Sequence, residues 1–347
     1  MGDFNRHIIS AEADLRSALS AMNSLQGGSL TLFVENNDYK VVGTLTDGDI
    51  RRGLLSGLSL DSQVREVMHL DFLYLADSVD SLQIVEKARE RGVWLLPFLD
   101  NSGRLIDVID LRHTHSVLTL DAVLMAGGKG LRMRPLTLDT PKPLLPVGGR
   151  PIIDYNVDLL HSYGVKNIFV TVNYKREMVE QHFISAPHIA CIPEPTPLGT
   201  FGSLTLIERL SHDNLIVMNA DLFTDINFES MYRRHIETKA DLTIAAVPYT
   251  VSVPYAIMHT NPDHTINSIE EKPTYNYFAN AGVYILRREL ISLMKKGERL
   301  DAPDFIELLL TEKRKVAYYP IEGMWTDIGS PDDYRHVCDL MSRTSGR

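Results

Sequence analysis

The stretch LMAGGKGLRMRPLT, residues 124–137, closes an apolar run and then places three glycines and three basic residues in the eight positions 127–134. Glycines without a Cβ let backbone amides approach oxygens closely, and the neighbouring cations favour an anion. The stretch therefore reads as a phosphate-holding turn at the exit of a buried strand. Basic residues are gathered here: Lys129, Arg132, Arg134, Lys142 and Arg150 stand between Gly127 and Arg150 against the single acid Asp139. The whole chain, by contrast, carries a formal charge of −10, which argues against a general nucleic-acid binder, whose footprint is a basic face.

Working outward, apolar strand-like runs alternate with helical stretches from Asp121 onward: AVLMAGG, IIDYNVDLLHSYG, NIFVTVN, MVEQHF and LIVMNADL. That alternation predicts βαβ units around a largely parallel sheet, with ligands at the carboxyl ends of its strands. The glycine turn is not a Walker A loop, because GGKGLR lacks the Gly-Lys-Ser/Thr after a four-residue spacer. A dinucleotide fingerprint would need a third glycine near Met133.

The signature that fits is that of the sugar-1-phosphate nucleotidylyltransferases, Gly-Gly-x-Gly-Ser/Thr-Arg-x-x-Pro-Leu-Thr followed by Pro-Lys-Pro. It stands here as Gly127 to Thr137 and Pro141-Lys142-Pro143, with Leu131 in place of the hydroxyl residue. The chain resembles that family from residue 120 to about 340, through five motifs in the family's order. The resemblance implies that Gly127, Gly128 and Gly130 cradle nucleotide phosphates. It implies that Arg132 stabilises departing pyrophosphate, and that Lys142 sits between the α-phosphate and the incoming sugar phosphate. Asp221, after LIVMNA, and Asp327, in WTDIGSPDDY, resemble the family's two metal-binding aspartates, a pair suited to Mg²⁺. Asp332 and Asp333 read as first-turn helix acids. Glu271 and Lys272 of the EKP motif, with Asn280 of FANAGVYIL, are the implied sugar side: Lys272 on the sugar phosphate, Glu271 on hydroxyls and Asn280 on another hydroxyl or the phosphate.

CIPEPTPLGTFGSL resembles the base-binding loop, with Gly199, Thr200 and Gly202 in the turn. Glu194, an acceptor-only carboxylate, suits the N1–H and 2-amino donors of guanine better than uracil or thymine, so GTP is expected ahead of UTP or dTTP. The sugar is open between glucosamine and mannose 1-phosphates.

Before residue 117 there is a weak internal repeat. Helix DLRSALSAM, strands SLTLFVEN and YKVVGTLT and helix DIRRGLLSG are followed by helix SLQIVEKARERG and strands VWLLPFLD and RLIDVID. Gly43-Thr44-Leu45-Thr46-Asp47-Gly48-Asp49 resembles the CBS-module pattern, in which Thr46 would meet a phosphate and Asp49 the ribose hydroxyls of a purine nucleotide. The second copy departs from it, with Asp107, Asp110 and His113 at corresponding positions, so one nucleotide site at most is expected. The alternative is a pure dimerisation scaffold. His113 and His115, an HxH without support, read as solvated linker.

The expected architecture is thus α/β: a Rossmann-like nucleotidyltransferase domain with a mostly parallel sheet over 120–347, preceded by a tandem CBS (βαββα) module over 1–117, its copies at about 1–60 and 61–117. That layout resembles the bacterial glucosamine-1-phosphate guanylyltransferases of legionaminic acid synthesis. A homo-oligomer, dimer or higher, is expected. A non-catalytic nucleotide-sensing subunit on the same two domains is the rival reading. With two cysteines, no signal core and no apolar run near the about 18 residues of a membrane span, the chain is expected to be cytoplasmic, with no membrane partner.

Overall fold

A computed structural model describes residues 4–25, 29–76 and 80–344. The chain divides into two compact units: the residues through Thr119 with Ser162–Gly164, and Leu120–His161 with the residues from Val165 onward.

The first unit shows its repeat in three dimensions. β1 (Ile8–Ser10), α1 (Leu15–Ser24), β2 (Thr31–Glu35) and β3 (Val41–Thr46) pair with β1 parallel to β2 and β2 antiparallel to β3; α2 (Asp47–Leu55) follows. In the second copy Leu75 bridges Phe98 in parallel, α3 (Ser81–Glu90) intervenes, and β4 (Leu95–Leu99) pairs antiparallel with β5 (Leu105–Asp110). The turns match as well. Asn36 accepts the N–H groups of Asp38 and Lys40, and Asp100 accepts those of Ser102 and Arg104. Such Asx turns let one short side chain close a hairpin.

The Thr46 and Asp49 pair has local work. Thr46 caps α2, and Asp49 returns the bond by accepting both the backbone N–H and the hydroxyl of Thr46 through Oδ2, while Arg52 occupies Oδ1. Thr-x-x-Asp is here a capping box, a helix-start role held beside the ligand contacts that the resemblance implies. Both still line a cavity of about 460 Å³ with Arg52, His69, Arg91 and Trp94.

The second unit is built on a seven-stranded sheet. It opens with β6 (Asp121–Met125), a short ribbon of β7 (Pro146–Val147) and β8 (Arg150–Pro151), α4 (Ile152–Ser162), β9 (Asn167–Val172), α5 (Arg176–His182), β10 (Ile189–Pro193) and the single turn α6 (Gly199–Gly202). It continues with β11 (Asn214–Asn219), β12 (Leu222–Thr224), α7 (Phe228–Glu237), β13 (Leu242–Ser252), β14 (Ile257–Thr260), β15 (Ile266–Glu270), β16 (Thr274–Arg287), α8 (Ala302–Thr311), β17 (Val316–Pro320), β18 (Trp325–Asp327) and α9 (Pro331–Thr344). The strand order is β10-β9-β6-β11-β16-β13-β17, and only β16 runs against its neighbours. β6 and β11 are buried on both faces, which is why they read as continuous apolar runs rather than alternating ones. Helix α4 places Ile152, Ile153, Asn156, Val157 and Leu160 inward. The core gathers Phe201, Phe305, Leu215, Val217, Tyr284 and Leu286, with Phe201 and Phe305 rings 4.8 Å apart.

His235, on α7, is 1% exposed. Its Nε2–H donates to Asn214 Oδ1 at 3.2 Å, leaving Nδ1 to accept the Thr243 hydroxyl at 2.8 Å. Burial, aided by the Arg287 charge, pushes the imidazole down to about 4 from 6.5, with Asp241 opposing. Below about 6.5 the unfolded chain takes up a proton that the folded chain refuses, so stability falls as pH drops across that window and levels off below about 4. The loss is on the order of 3 kcal/mol. Unfolding free energies from urea titrations near neutrality and near pH 4.5 should differ by about that amount in the wild type, and by much less in His235→Gln; an equal acid loss in the variant would assign it to other groups.

Candidate active site

Four parallel strands deliver residues to one edge of the sheet. Just beyond the carboxyl ends the ladder continues: Ala126 N–H donates to Thr171 O, Ala220 N–H to Met125 O, and Glu194 N–H to Val172 O. Gly127, Asp221 and Glu194 therefore emerge side by side. The Gly130 backbone is left-handed (φ +57°), and a side chain there would begin 3.0 Å from the Thr137 methyl and 3.4 Å from Lys142 Cβ. The turn is closed by the buried Thr137 hydroxyl, which donates to Gly130 O at 2.8 Å. Glycine is needed at 130 both for its φ and for room beside Lys142.

Lys142 is 8% exposed and its ammonium is paired with Asp221, with Asp327 Oδ1 a further 3.7 Å from the same nitrogen. Asp327 reaches this point because β18 pairs with β12: Leu222 lies opposite Asp327, and Ile328 N–H donates to Asp221 O. Burial, and then the Asp221 charge, hold the Asp327 carboxyl above its ordinary range against the pull of Lys142 and Arg132. The Arg132 guanidinium and Asp327 Oδ2 both stand 3.5 Å from where a side chain at Gly329 would begin. The sequence-predicted Arg132, Lys142, Asp221 and Asp327 thus converge, and the first three line a cavity of about 480 Å³ with Gly128, Gly130 and Asn219.

A second cavity of about 280 Å³ shares Met125, Gly128 and Asn219 with the first and is lined by Gly127, Glu194, Gly199 and Thr200. Glu194 is 7% exposed, and burial raises its carboxyl despite the Leu198 N–H that donates to Oε2 at 2.9 Å. Reading Glu194 as a fork with two open oxygens is therefore narrowed: Oε2 staples its own loop, and Oε1 faces the Gly127 backbone. Gly199 backs onto Asp301, whose carboxylate holds Arg299 at 2.8 Å on the wall of the same cavity.

The EKP residues are not brought to either cavity. β16 stays extended from Asn280 back to Thr274, a rise of about 20 Å at ~3.3 Å per residue, and Glu271 and Lys272 lie exposed beyond it without an ion pair among the described residues. Asn280 spends its side chain locally, donating to the Tyr284 hydroxyl and accepting Gly282 N–H. Asp332 and Asp333 do serve α9: Asp333 accepts from Ser330 N–H and hydroxyl, and Asp332 pairs with Arg335.

Sequence reasoning passed over Asn156, Asn219, Arg299 and Asp301. The buried Asn156 amide donates to Ala220 O and Leu222 O, bracing the backbone on both sides of Asp221. A polar residue on the inward stripe of α4 was its one visible signal.

No helix among the described residues is long and apolar enough to cross a membrane. The model of the family described as "Nucleotidyl transferase" matches residues 121–343. The chain is 32% identical over 229 residues to a mannose-1-phosphate guanyltransferase of Yarrowia lipolytica, covering 62% of each chain. It is 29% identical over 221 residues to a D-glycero-alpha-D-manno-heptose 1-phosphate guanylyltransferase of Aneurinibacillus thermoaerophilus, covering 62% of this chain and 96% of that one. The chain thus spans less than two thirds of the length of the mannose-1-phosphate relative. A Bacillus anthracis structure described as a glucose-1-phosphate thymidylyltransferase in complex with a sucrose superposes with a TM-score of 0.52 at 21% identity, over 64% of this chain and 95% of that chain, a likeness of fold. With the strand-exit glycine turn and a family match spanning most of the second unit, the chain belongs to the nucleotidyl transferase family.

Proposed function

We propose that the chain transfers a guanylyl group from GTP to a hexose 1-phosphate, giving a GDP-sugar and pyrophosphate. The observation that carries this reading is the convergence of Lys142, Arg132, Asp221 and Asp327 beside the glycine turn. Cations there suit a triphosphate and its leaving pyrophosphate, and no side chain need act as nucleophile. The sugar phosphate oxygen attacks the α-phosphorus as the bond to pyrophosphate breaks. Lys142 orients and neutralises the α-phosphate, Arg132 takes charge developing on the leaving group, and the backbone of Gly127–Gly130 positions the phosphates. Two close carboxylates, one of them held above its ordinary range by burial and then by the other's charge, are an oxygen donor set short of positive charge, which fits Mg²⁺. When bound by Asp221 and Asp327, Mg²⁺ would supply charge neutralisation for the triphosphate.

Guanine is favoured by the acidic Glu194 at the second cavity and by the guanylyl-transferring relatives. Those relatives are named for mannose and heptose 1-phosphates; glucosamine 1-phosphate is our preferred acceptor, on the resemblance of the two-unit layout alone. Glu271, Lys272 and Asn280 remain the proposed sugar side, through movement of the β13–β16 arm. The first unit is proposed to be the tandem CBS module, holding a purine nucleotide weakly in its cavity of about 460 Å³ and contributing to a homodimer. A non-catalytic sensing subunit is the second reading.

A pyrophosphate-release screen of four NTPs against glucosamine, mannose and heptose 1-phosphates should show GTP with a hexose 1-phosphate as the productive pair. No release with any pair would favour the sensing subunit. Asp221→Asn should cut turnover at least about a hundredfold with the thermal transition retained, since it removes charge at the metal and at Lys142; near-normal turnover would take Asp221 out of the mechanism.

Glu194→Gln can keep the Leu198 staple through its carbonyl oxygen while losing charge toward guanine. The GTP-to-UTP ratio of kcat/KM should fall by about tenfold to a hundredfold. An unchanged ratio would mean that another group reads the base.

In the first unit, calorimetry with AMP should give weak binding that Arg52→Gln, which spares the capping box, alters. Heat identical in the two proteins would place the nucleotide away from Arg52, and none in either would leave this unit as scaffold.

A further inference from the structure

A larger cavity lies at the opposite, amino-terminal edge of the seven-stranded sheet. It measures about 650 Å³ and opens among the start of β11, the end of β16 and the turn after α7. Five residue steps of β11, about 17 Å at ~3.3 Å each, separate Asn214 at this cavity from Asn219 at the transfer site, so the two are distinct.

Its charges do not cancel. Of the acids nearby, Asp213 is taken by Arg288 at 2.9 Å, and Asp241 accepts the Lys315 N–H at 2.8 Å with Arg314 3.9 Å away. Glu289 has Arg314 at 4.0 Å. Lys239 and Arg287 are left over. The Lys239 ammonium has no hydrogen-bond or ion-pair partner among the described residues, and it extends from a left-handed backbone (φ +51°) that ends the helix turn. Arg287 is fixed in place, its Nε donating to Ala240 O at 3.2 Å, and among the described residues no carboxylate pairs with its guanidinium. Between them the floor is neutral: the imidazole of His235 and the amide of Asn214 are bonded to each other.

An ammonium and a part-buried guanidinium exceed by one charge the single acid left over where Arg314 serves both Asp241 and Glu289, and they form a donor pair matched to phosphate oxygens. The concave volume is that of a small-molecule site. We propose that this cavity binds a phosphate-bearing small molecule between Lys239 and Arg287, over His235 and Asn214. The proposal does not rest on guanylyl transfer.

The test uses inorganic phosphate with the full-length protein. Its readout is the His235 imidazole resonances in NMR, assigned by their loss in His235→Gln. Wild type should show a saturable shift. Lys239→Gln, an exposed residue without side-chain partners, should weaken that binding at least about fivefold, and Lys239→Gln/Arg287→Gln should abolish it. Arg287→Lys should retain it in part, and Arg132→Gln, at the transfer site, should leave it unchanged. No saturable shift at His235 in wild type, or equal affinity in wild type and Lys239→Gln, would overturn the proposal. Loss of the shift in Arg132→Gln would do the same, by assigning it to phosphate at the transfer site.

Discussion

Lys142 holds a buried ammonium between Asp221 and Asp327, and the second unit is arranged around that triad. Taking such charges from water costs several kcal/mol each, and the cost is met only where partners are fixed closely. The fold fixes them from three directions. β11 delivers Asp221, the ribbon of β12 with β18 delivers Asp327, and the chain after the glycine turn delivers Lys142. The triad carries one positive and two negative charges, a set that is one cation short. Arg132 beside Gly329 supplies part of the deficit, while burial, and then the Asp221 charge, keep the Asp327 carboxyl raised. On the proposed function, a site built this way would attract a cation and a polyanion together.

Much of this arrangement was legible because it is locally encoded. β6, β9 and β11 are short apolar runs, α4 has a clear inward stripe, and the glycine turn has a chemistry that few loops share. What escaped depends on long-range placement. Asn156 looked like one polar residue in a helix, and its meaning lies in two carbonyls more than sixty residues away. Arg299 and Asp301 reach the second cavity only because Leu300 pairs with the loop after Glu194, accepting from Phe201 and donating to Leu198 O. The exposed halves of β13 and β16 carry aromatic residues on solvent-facing positions, so neither their strands nor their antiparallel sense could be read from apolar alternation. The same arm takes Glu271 and Lys272 away from where their motif suggested.

Thr46 and Asp49 illustrate a different limit. A hydroxyl residue followed three positions later by an acid at a strand-to-helix junction satisfies helix capping and nucleotide binding alike. The capping box is present, with both Asp49 oxygens engaged, and the cavity beside it is present too. The two roles are compatible in geometry: a nucleotide would need to displace only the Arg52 contact, an ion pair exposed on its arginine side, while Oδ2 keeps the helix start.

The two ends of β11 lie at opposite edges of the sheet. Asn219 at one end borders both cavities of the candidate site, and Asn214 at the other hydrogen-bonds the buried His235. Between them the strand is buried on both faces and paired on both edges, with β6 and with β16. Such a strand can shift only as a unit with its neighbours, since close-packed interiors transmit small displacements rather than absorb them. An anion at the amino edge would act on Lys239 and Arg287, and Arg287 ends β16, whose Gly282 packs against Asn219. The two edges are joined by a pair of hydrogen-bonded strands, β11 and β16, with no loop in between.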